Sequence, residues 1–407
     1  MTAQPIYLDN HATTRVDPRV VEAMWPYWNE LYGNAASISH AFGWQAQAAV
    51  DASRESIARA IGAESREIVF TSGATESNNL ALRGLAARPD RRGGHIISVT
   101  TEHKAVIDPL QRLARRGFEV TWLPVFGVQH QSASPTASSM EGRIDLQRLA
   151  DALRPDTLVV SIMWANNEIG VLQPLEEIGR LCRERGVLVH CDATQAVGKL
   201  PIDLQRVPID LLSFTAHKMY GPKGVGALYV RRRTPRIRLE PQIDGGGQEQ
   251  GLRSGTLNVP GIVGFAKALE LCVTELPAEP QRLHDLRGRL WNGLRAAIPD
   301  IRLNGPALDS LDLRLPGNLN CSFPYVDGEA LMMSMRDIAV SSGSACTSAN
   351  PEPSHVLRAL GLSDDQTRAS LRFGLGRFNT TDEIDTAVAA VSQAVRELRK
   401  LSSLARP

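Results

Sequence analysis

Lys218 stands in Thr215-Ala216-His217-Lys218-Met219-Tyr220-Gly221-Pro222-Lys223-Gly224, directly after the apolar run 211–214. A lysine held by such Gly/Pro turns could form a Schiff base with an aldehyde cofactor. Taken alone it is a surface lysine, the commoner fate of that residue. Asp192 follows a second apolar run, 187–191. A carboxylate at the carboxyl end of a strand faces the ligand crevice, where it could hold a pyridinium nitrogen protonated. Its plain alternative is a helix N-cap ahead of Ala193-Thr194-Gln195. Thr71-Ser72-Gly73-Ala74-Thr75-Glu76 lies between a strand-like and a helix-like run. Its Gly turn, hydroxyls and free N–H groups suit a phosphate, and its plain alternative is again a cap. Phosphate site, ring-nitrogen partner and aldehyde partner, each at the end of a strand of one sheet, make a far more specific signal than any one of them.

A fourth feature is Ser341-Ser342-Gly343-Ser344-Ala345-Cys346-Thr347-Ser348-Ala349-Asn350-Pro351. It offers almost no apolar bulk to bury, so it reads as a mobile surface loop carrying one thiol. Such a thiol is a nucleophile where its thiolate is favoured. Cys182 and Cys272 fall in helical apolar faces, Cys191 and Cys321 in strands, and these four read as inert core. His103 follows a strand and could stack on a planar cofactor or move protons, or be structural. Arg372 lies in an apolar run and needs an anionic partner, either a protein acid or a substrate carboxylate. Asn34 and Asn167 sit in Gly33-Asn34-Ala35 and Asn166-Asn167-Glu168, where turn chemistry is the alternative to ligand contact.

Short β-branched runs at 67–71, 95–100, 119–125, 157–163, 187–191, 211–215 and 225–230 would position these groups. Helix-like stretches at 45–61, 76–87, 106–116, 146–153 and 175–185 alternate with them. That alternation predicts an α/β fold with a mostly parallel seven-stranded sheet flanked by helices. The pattern changes after about residue 261. Helical stretches at 261–275 and 281–297 surround Pro277-Ala278-Glu279-Pro280, then strands at 318–323 and 371–374 and a helix at 381–401 follow. The expected organisation is a large cofactor-binding domain over 15–262. A smaller α+β domain is expected from 1–14 and 263–407, carrying the cysteine loop at about 338–351. The polar segment 129–142 reads as a flexible surface loop.

The chain has 407 residues, 43% apolar and 22% charged, enough for a large core and unlike a disordered chain. With 45 Lys+Arg against 44 Asp+Glu the net charge is +1, which gives no global attraction to nucleic acid or an anionic membrane. The run Arg231–Arg233 reads as a solvated turn or strand end. Five widely spaced cysteines, with no CxxC pair, argue against a disulfide framework or a zinc ribbon. No signal peptide or membrane span is visible, so a soluble protein of the reducing cytoplasm is expected, with no nucleic-acid or membrane partner and no metal site.

The motifs resemble those of the group I, NifS/IscS-type cysteine desulfurases, pyridoxal-phosphate enzymes of the class V aminotransferase group with fold type I architecture. The matching stretches are YLDNHATT (7–14), FGWQA (42–46), REIVFTSGATESNNLA (66–81), TEHKAV (101–106), NNEIGV (166–171), DATQAVGKLPID (192–203), HKMYGPKGVGALYVRR (217–232), GGGQEQGLRSGT (245–256), SSGSACTSA (341–349) and SHVLRALGL (354–362). They run in family order from residue 6 to about 378, and SSGSACTSA marks group I.

The resemblance implies that Lys218 forms the Schiff base with pyridoxal 5′-phosphate. It implies that Asp192 pairs with the ring nitrogen, Gln195 contacts the phenolic oxygen and His103 stacks on the ring and handles protons. Ala74, Thr75, Thr215 and His217 would bind the phosphate, and Thr256 would reach the phosphate of the partner subunit in a homodimer. Asn34, Asn167 and Arg372 would hold the carboxylate of L-cysteine. Cys346 would take the sulfur as a persulfide, leaving L-alanine, and pass it to an acceptor protein such as an iron–sulfur scaffold or another sulfur carrier. Thr215 replaces the family's usual Ser and keeps the hydroxyl. Segment 129–142 is longer than the family's usual turn. The tail 401–407 lacks the acidic, aromatic extension of scaffold-docking members, which leaves the acceptor open. Selenocysteine lyase and aminotransferase are the alternatives on the same fold. Transamination has no use for a nucleophilic thiol loop.

Overall fold

The computed structural model describes residues 4–87, 93–127, 140–309, 311–342 and 352–401. Cys346 and its neighbours 343–351, and residues 128–139 of the polar segment, lie outside the described residues.

All seven predicted strands pair in one sheet, in the order Ile68–Thr71, Gly226–Val230, Leu211–Thr215, Leu188–Asp192, Thr157–Ser161, His95–Val99, Glu119–Leu123. Six run in one direction, and Gly226–Val230 is antiparallel to both its neighbours. Every residue of Ile68–Thr71, His95–Val99, Thr157–Ser161 and Leu211–Thr215 is buried. Burial on both faces explains why these strands read as continuous apolar runs instead of alternating ones. At the sheet edge, only Leu123 of Glu119–Leu123 is buried.

Alternate residues divide between two cores. Ile68, Phe70, Ile97, Leu212 and Phe214 pack with the helices Ala41–Ala60 and Val259–Glu275 on one face. Val69, Ile96, Leu211 and Leu228 pack with Ala74–Ala86 and Lys104–Ala114 on the other. The buried stripe of each helix meets its sheet face, which supplies most of its stability.

A third core holds Leu290, Leu294, Leu319, Phe323, Phe373 and Val391, and Leu8 from the chain start joins it. Here the helices Glu279–Ala297 and Thr381–Leu401 cover a four-stranded antiparallel sheet in the order Ser341–Ser342, Ser370–Gly374, Asn318–Ser322, Arg302–Leu303. The strand Ile6–Tyr7 pairs with Ile338–Ala339. The expected break at 277–280 is shorter than the sequence suggests, because Pro280 sits in the first turn of Glu279–Ala297, where a missing N–H costs nothing.

The Arg231–Arg233 run follows a strand end as expected, with Arg232 and Arg233 exposed and Arg231 half-buried. Arg231 donates to the carbonyl of Leu204 at 2.8 Å and Arg233 pairs with Asp210 at 3.2 Å. Among the described residues no helix is long and apolar enough to cross a membrane.

Candidate functional site

The strands ending at Thr71, Asp192 and Thr215 finish on one edge of the large sheet, with Thr71 and Thr215 both registered against Gly226. A Cβ on Gly226 would lie 2.7 Å from the Gly73 backbone and 2.7 Å from the Phe214 carbonyl. The missing side chain lets the turn after Thr71 settle against the neighbouring strand. Gly73, at φ 156°, caps the helix Ala74–Ala86 without a side-chain cap bond. The helix N-terminus therefore keeps its N–H donors for a ligand.

That edge opens into a cavity of about 560 Å³, within the range of cofactor sites. Ala74, Thr75, His103, Asn167, Asp192, Gln195, Thr215, His217, Lys218 and Arg372 all line it. Ten of the predicted site residues thus meet in one place. Asn34 and Thr256 do not line this cavity. Asn34 caps its own turn through Ala36 N–H at 2.9 Å and borders a separate cleft beside Gln248 and Glu249. Cys346 falls outside the described residues.

Lys218 Nζ donates to the carbonyls of His11 and Ala12, both at 2.6 Å. Asp192 is buried. Its Oδ1 accepts from Thr194 N–H at 3.0 Å, and its Oδ2 accepts from Asn78 Nδ2 at 2.7 Å. The expected helix N-cap is not formed: residues 194–196 are a turn, which Oδ1 closes through Thr194 N–H, while Oδ2 is held by Asn78 from the helix Ala74–Ala86. The sequence reading missed Asn78. Its only signal was its position one helical turn beyond Ala74, on the side that faces the strand ends.

His103 Nδ1 accepts from Ala105 N–H at 3.0 Å, which leaves Nε2 to carry the ring proton. Burial pushes its pKa down, so the ring is neutral at neutral pH. His217 Nδ1 lies 3.1 Å from Thr13 Oγ1, and burial with the nearby Lys218, Lys223 and Lys199 pushes its pKa down to about 4. A neutral His217 still has an N–H to offer an anion. The Thr215 hydroxyl donates to the Val225 carbonyl at 2.9 Å.

Arg372, 2% exposed, finds its anion within the protein. Nη2 donates to Asp9 Oδ1 at 2.7 Å and Nη1 donates to the Asn167 carbonyl at 3.0 Å, while Nε has no partner. Asp9 Oδ2 in turn accepts from Ser341 Oγ at 2.9 Å.

The four described cysteines, Cys182, Cys191, Cys272 and Cys321, are buried and free. Burial pushes the Cys182 thiol up to about 12 and the Cys272 thiol up to about 11, and raises Cys191 and Cys321 as well. None of them carries a thiolate near neutral pH. Among the described residues no group of three His, Cys, Asp or Glu could hold a metal ion.

A phosphate cradle at a helix N-terminus, a buried aspartate and an inward lysine at adjacent strand ends fit pyridoxal phosphate. The fold and the site define an enzyme of that cofactor class. Residues 6–387 match the model of the family described as Aminotransferase class-V, and the chain belongs to that family, within its NifS/IscS-type branch. The Cysteine desulfurase IscS of Anaeromyxobacter sp. (strain Fw109-5) is 58% identical over 400 residues, covering 98% of this chain and 95% of the relative. The Cysteine desulfurase IscS of Proteus mirabilis (strain HI4320) is 54% identical over 402 residues, with the same coverage. A solved NifS-like protein superposes with a TM-score of 0.86 at 37% identity, covering 97% of this chain and 100% of that one. A structure titled as SspA in complex with cysteine superposes with a TM-score of 0.77 at 36% identity, over 92% of this chain and all of that one. Pyridoxal 5′-phosphate is the cofactor of this family.

Proposed function

We propose that the chain is a cysteine desulfurase that takes sulfur from L-cysteine onto Cys346 and releases L-alanine. The observation that carries this reading is the convergence of Lys218, Asp192 and the Gly73 turn on one cavity, in a chain more than half identical to cysteine desulfurases.

The phosphate would lie against Ala74, Thr75, Thr215 and His217, with Lys218 Nζ at the aldehyde and Gln195 at the phenolic oxygen. Asp192 would hold the ring nitrogen protonated, and His103 would cover the ring. When bound, the cofactor supplies the electron sink that allows the Cα–H bond of an amino acid to break. Lys218 Nζ, as a free amine, would take that proton. Arg372, Asn167 and Asn34 would orient the substrate carboxylate. The Cys346 thiolate attacks the substrate sulfur: its S–S bond forms as the S–Cβ bond breaks, and a proton completes alanine. L-cysteine plus a thiol thus give L-alanine plus a persulfide. His103 could accept the thiol proton only at Nδ1, by giving up its bond from Ala105 N–H.

A homodimer accounts for Asn34 and Thr256, which one chain leaves outside the cavity. Trp25, Trp28, Tyr32, Ile38 and Trp44, each more than half exposed, form an apolar stretch of the kind that a second copy covers. The persulfide would pass to a sulfur-acceptor protein, an iron–sulfur scaffold or another sulfur carrier, in the cytoplasm. The separate core containing Leu8 supports division into a cofactor domain over 15–262 and a small domain from 1–14 and 263–407.

The test is alanine formation from L-cysteine with a thiol reductant, for native protein and for Cys346→Ala whose yellow cofactor absorbance is intact. Alanine from native protein alone supports the reading. Equal alanine from both removes Cys346 as the nucleophile.

A further inference from the structure

Lys199 lies beside the site, and nothing above assigns it a task. It follows Gly198, at φ 78°, and lines a small neighbouring cavity with His11 and Cys272. Lys199 Nζ donates to Gln195 Oε1 at 2.6 Å. Gln195 Nε2 donates to the His11 carbonyl at 2.9 Å, and Lys218 Nζ donates to the same carbonyl at 2.6 Å. Two lysine nitrogens are thus joined through one amide and one carbonyl.

Nothing nearby neutralises Lys199. Among the described residues no carboxylate pairs with it, and the acids on the adjoining small cavity are engaged elsewhere. Glu275 pairs with Arg19 at 2.8 Å and with Arg377 at 2.7 Å, and Glu279 pairs with Arg282 at 2.7 Å. The Cys272 thiol and the Tyr220 hydroxyl face the same cavity, and burial raises both, so they remain neutral. The His11 imidazole is buried and held neutral, and neither of its ring nitrogens has a partner. Lys218 and Arg372 are the cations that act on Lys199, and both oppose its charge. Burial, with Lys218 adding to it, pushes the Lys199 pKa down to about 7.

We propose that Lys199 is a positioning residue for the cofactor-bearing lysine: its Nζ fixes the Gln195 amide, and its charge disfavours a second positive charge on Lys218 Nζ. The proposal rests on the reading of Lys218 given above. Lys199 occupies Gln195 Oε1, so the amide presents Nε2 to His11 and to a phenolic oxygen at the cofactor position. A like charge in a poorly solvated site favours the neutral form of its neighbour. A positive charge on Lys199 thus favours Lys218 as a free amine, the form that can accept the Cα proton.

The experiment uses the loaded enzyme and reads colour instead of turnover. The yellow absorbance is titrated from pH 6 to 10 in native protein, Lys199→Met and Lys199→Arg. Methionine keeps the length and removes the partial charge that Lys199 carries near its pKa of about 7, so the midpoint should rise. Arginine stays charged over the whole range and should lower the midpoint below the native value. An unmoved midpoint in Lys199→Met overturns the proposal. Lys199→Gln gives the same readout should the methionine variant misfold. Lys218→Ala separates the two readings: yellow absorbance that survives there overturns the assignment of Lys218 itself, whatever Lys199 does.

Discussion

Asp9 lies between Arg372 and Ser341, accepting from Arg372 Nη2 at 2.7 Å and from Ser341 Oγ at 2.9 Å. The guanidinium expected to meet a substrate carboxylate is therefore already oriented by an internal acid. The same acid grips the short strand Ser341–Ser342 that leads to the segment carrying Cys346. Arg372 lines the cavity, and its Nε is unpartnered, so donor capacity remains for an incoming anion.

A charge-assisted hydrogen bond contributes about 1.5–3 kcal/mol. Arg372→Gln should therefore raise the KM for L-cysteine by about 10–100-fold. Cofactor absorbance should be unchanged, because Arg372 is assigned to the substrate and not to the ring. Asp9→Asn should also raise KM, by a smaller factor, through a less firmly oriented Arg372. Steady-state alanine formation measures both. An unchanged KM in Arg372→Gln would remove Arg372 from substrate binding.

Asn78 Nδ2 is 2.7 Å from Asp192 Oδ2. This bond aims the carboxylate along the strand end where the ring nitrogen is expected. Asn78→Ala removes a hydrogen bond to a charged group, so cofactor affinity should fall by about tenfold or more. Equilibrium titration of the cofactor-free protein with pyridoxal phosphate, followed by the yellow absorbance, reads this directly. Full affinity in the variant would show that Asp192 is held well enough by Thr194 alone.

Gly226 allows the close approach of the Gly73 turn, where an added Cβ would meet backbone at 2.7 Å. Gly226→Ala should therefore cost about 1–3 kcal/mol of stability and weaken cofactor binding, because relief of the clash displaces the phosphate turn. Thermal unfolding with and without cofactor separates the two effects. A variant as stable as native protein, with native affinity, would contradict this account of the turn.

Much of the frame was legible in the residues, for a physical reason. Strands buried on both faces are predominantly apolar, so the inner runs of the sheet were visible one by one, while the edge run Glu119–Leu123 has only Leu123 buried. Lys218, Asp192 and Thr75 could be placed because each follows such a run directly. The antiparallel course of Gly226–Val230 was not visible, since direction leaves no mark in composition. The partners that aim the charged groups were also hidden. Asn78 is one polar residue in a helix, and Asp9 lies 363 positions from Arg372. Pairings at such separation arise only when the sheet closes. The sequence reading offered a protein acid or a substrate as the anion for Arg372, and the structure supplies the protein acid.

Glu102 provides a pH-dependent test beside the site. It is fully buried, its Oε1 accepts from Met163 N–H at 2.6 Å, and its Oε2 has no partner. Burial raises its pKa well above the ordinary 4.5, and the negative charge of Asp192 adds to that. The folded protein thus keeps a proton here that the unfolded chain releases above its ordinary carboxyl range. Stability from this residue falls as pH rises from about 4.5 toward the folded value. Glu102→Gln keeps the Oε1 acceptor and cannot ionise, so its thermal midpoint should gain on native protein more at pH 8 than at pH 5. A difference that is the same at both pH values would mean that Glu102 is ionised alike in folded and unfolded chains.

The four described thiols make the reactivity of Cys346 measurable without turnover. Cys182, Cys191, Cys272 and Cys321 are buried, and burial holds each thiol protonated near neutral pH. Alkylation requires a thiolate that the reagent can reach, and these offer neither. A brief treatment of the folded, cofactor-loaded enzyme with iodoacetamide at pH 7.5 should therefore modify one cysteine per chain, Cys346, and abolish alanine formation in step with the labelling. In Cys346→Ala the folded protein should take up none, while all four remaining thiols react in denaturant. Rapid labelling of any of the four in the folded enzyme would show that its core opens on the time scale of the reaction. In that case thiol modification would no longer single out Cys346, and the loss of activity would have to be apportioned by peptide mapping.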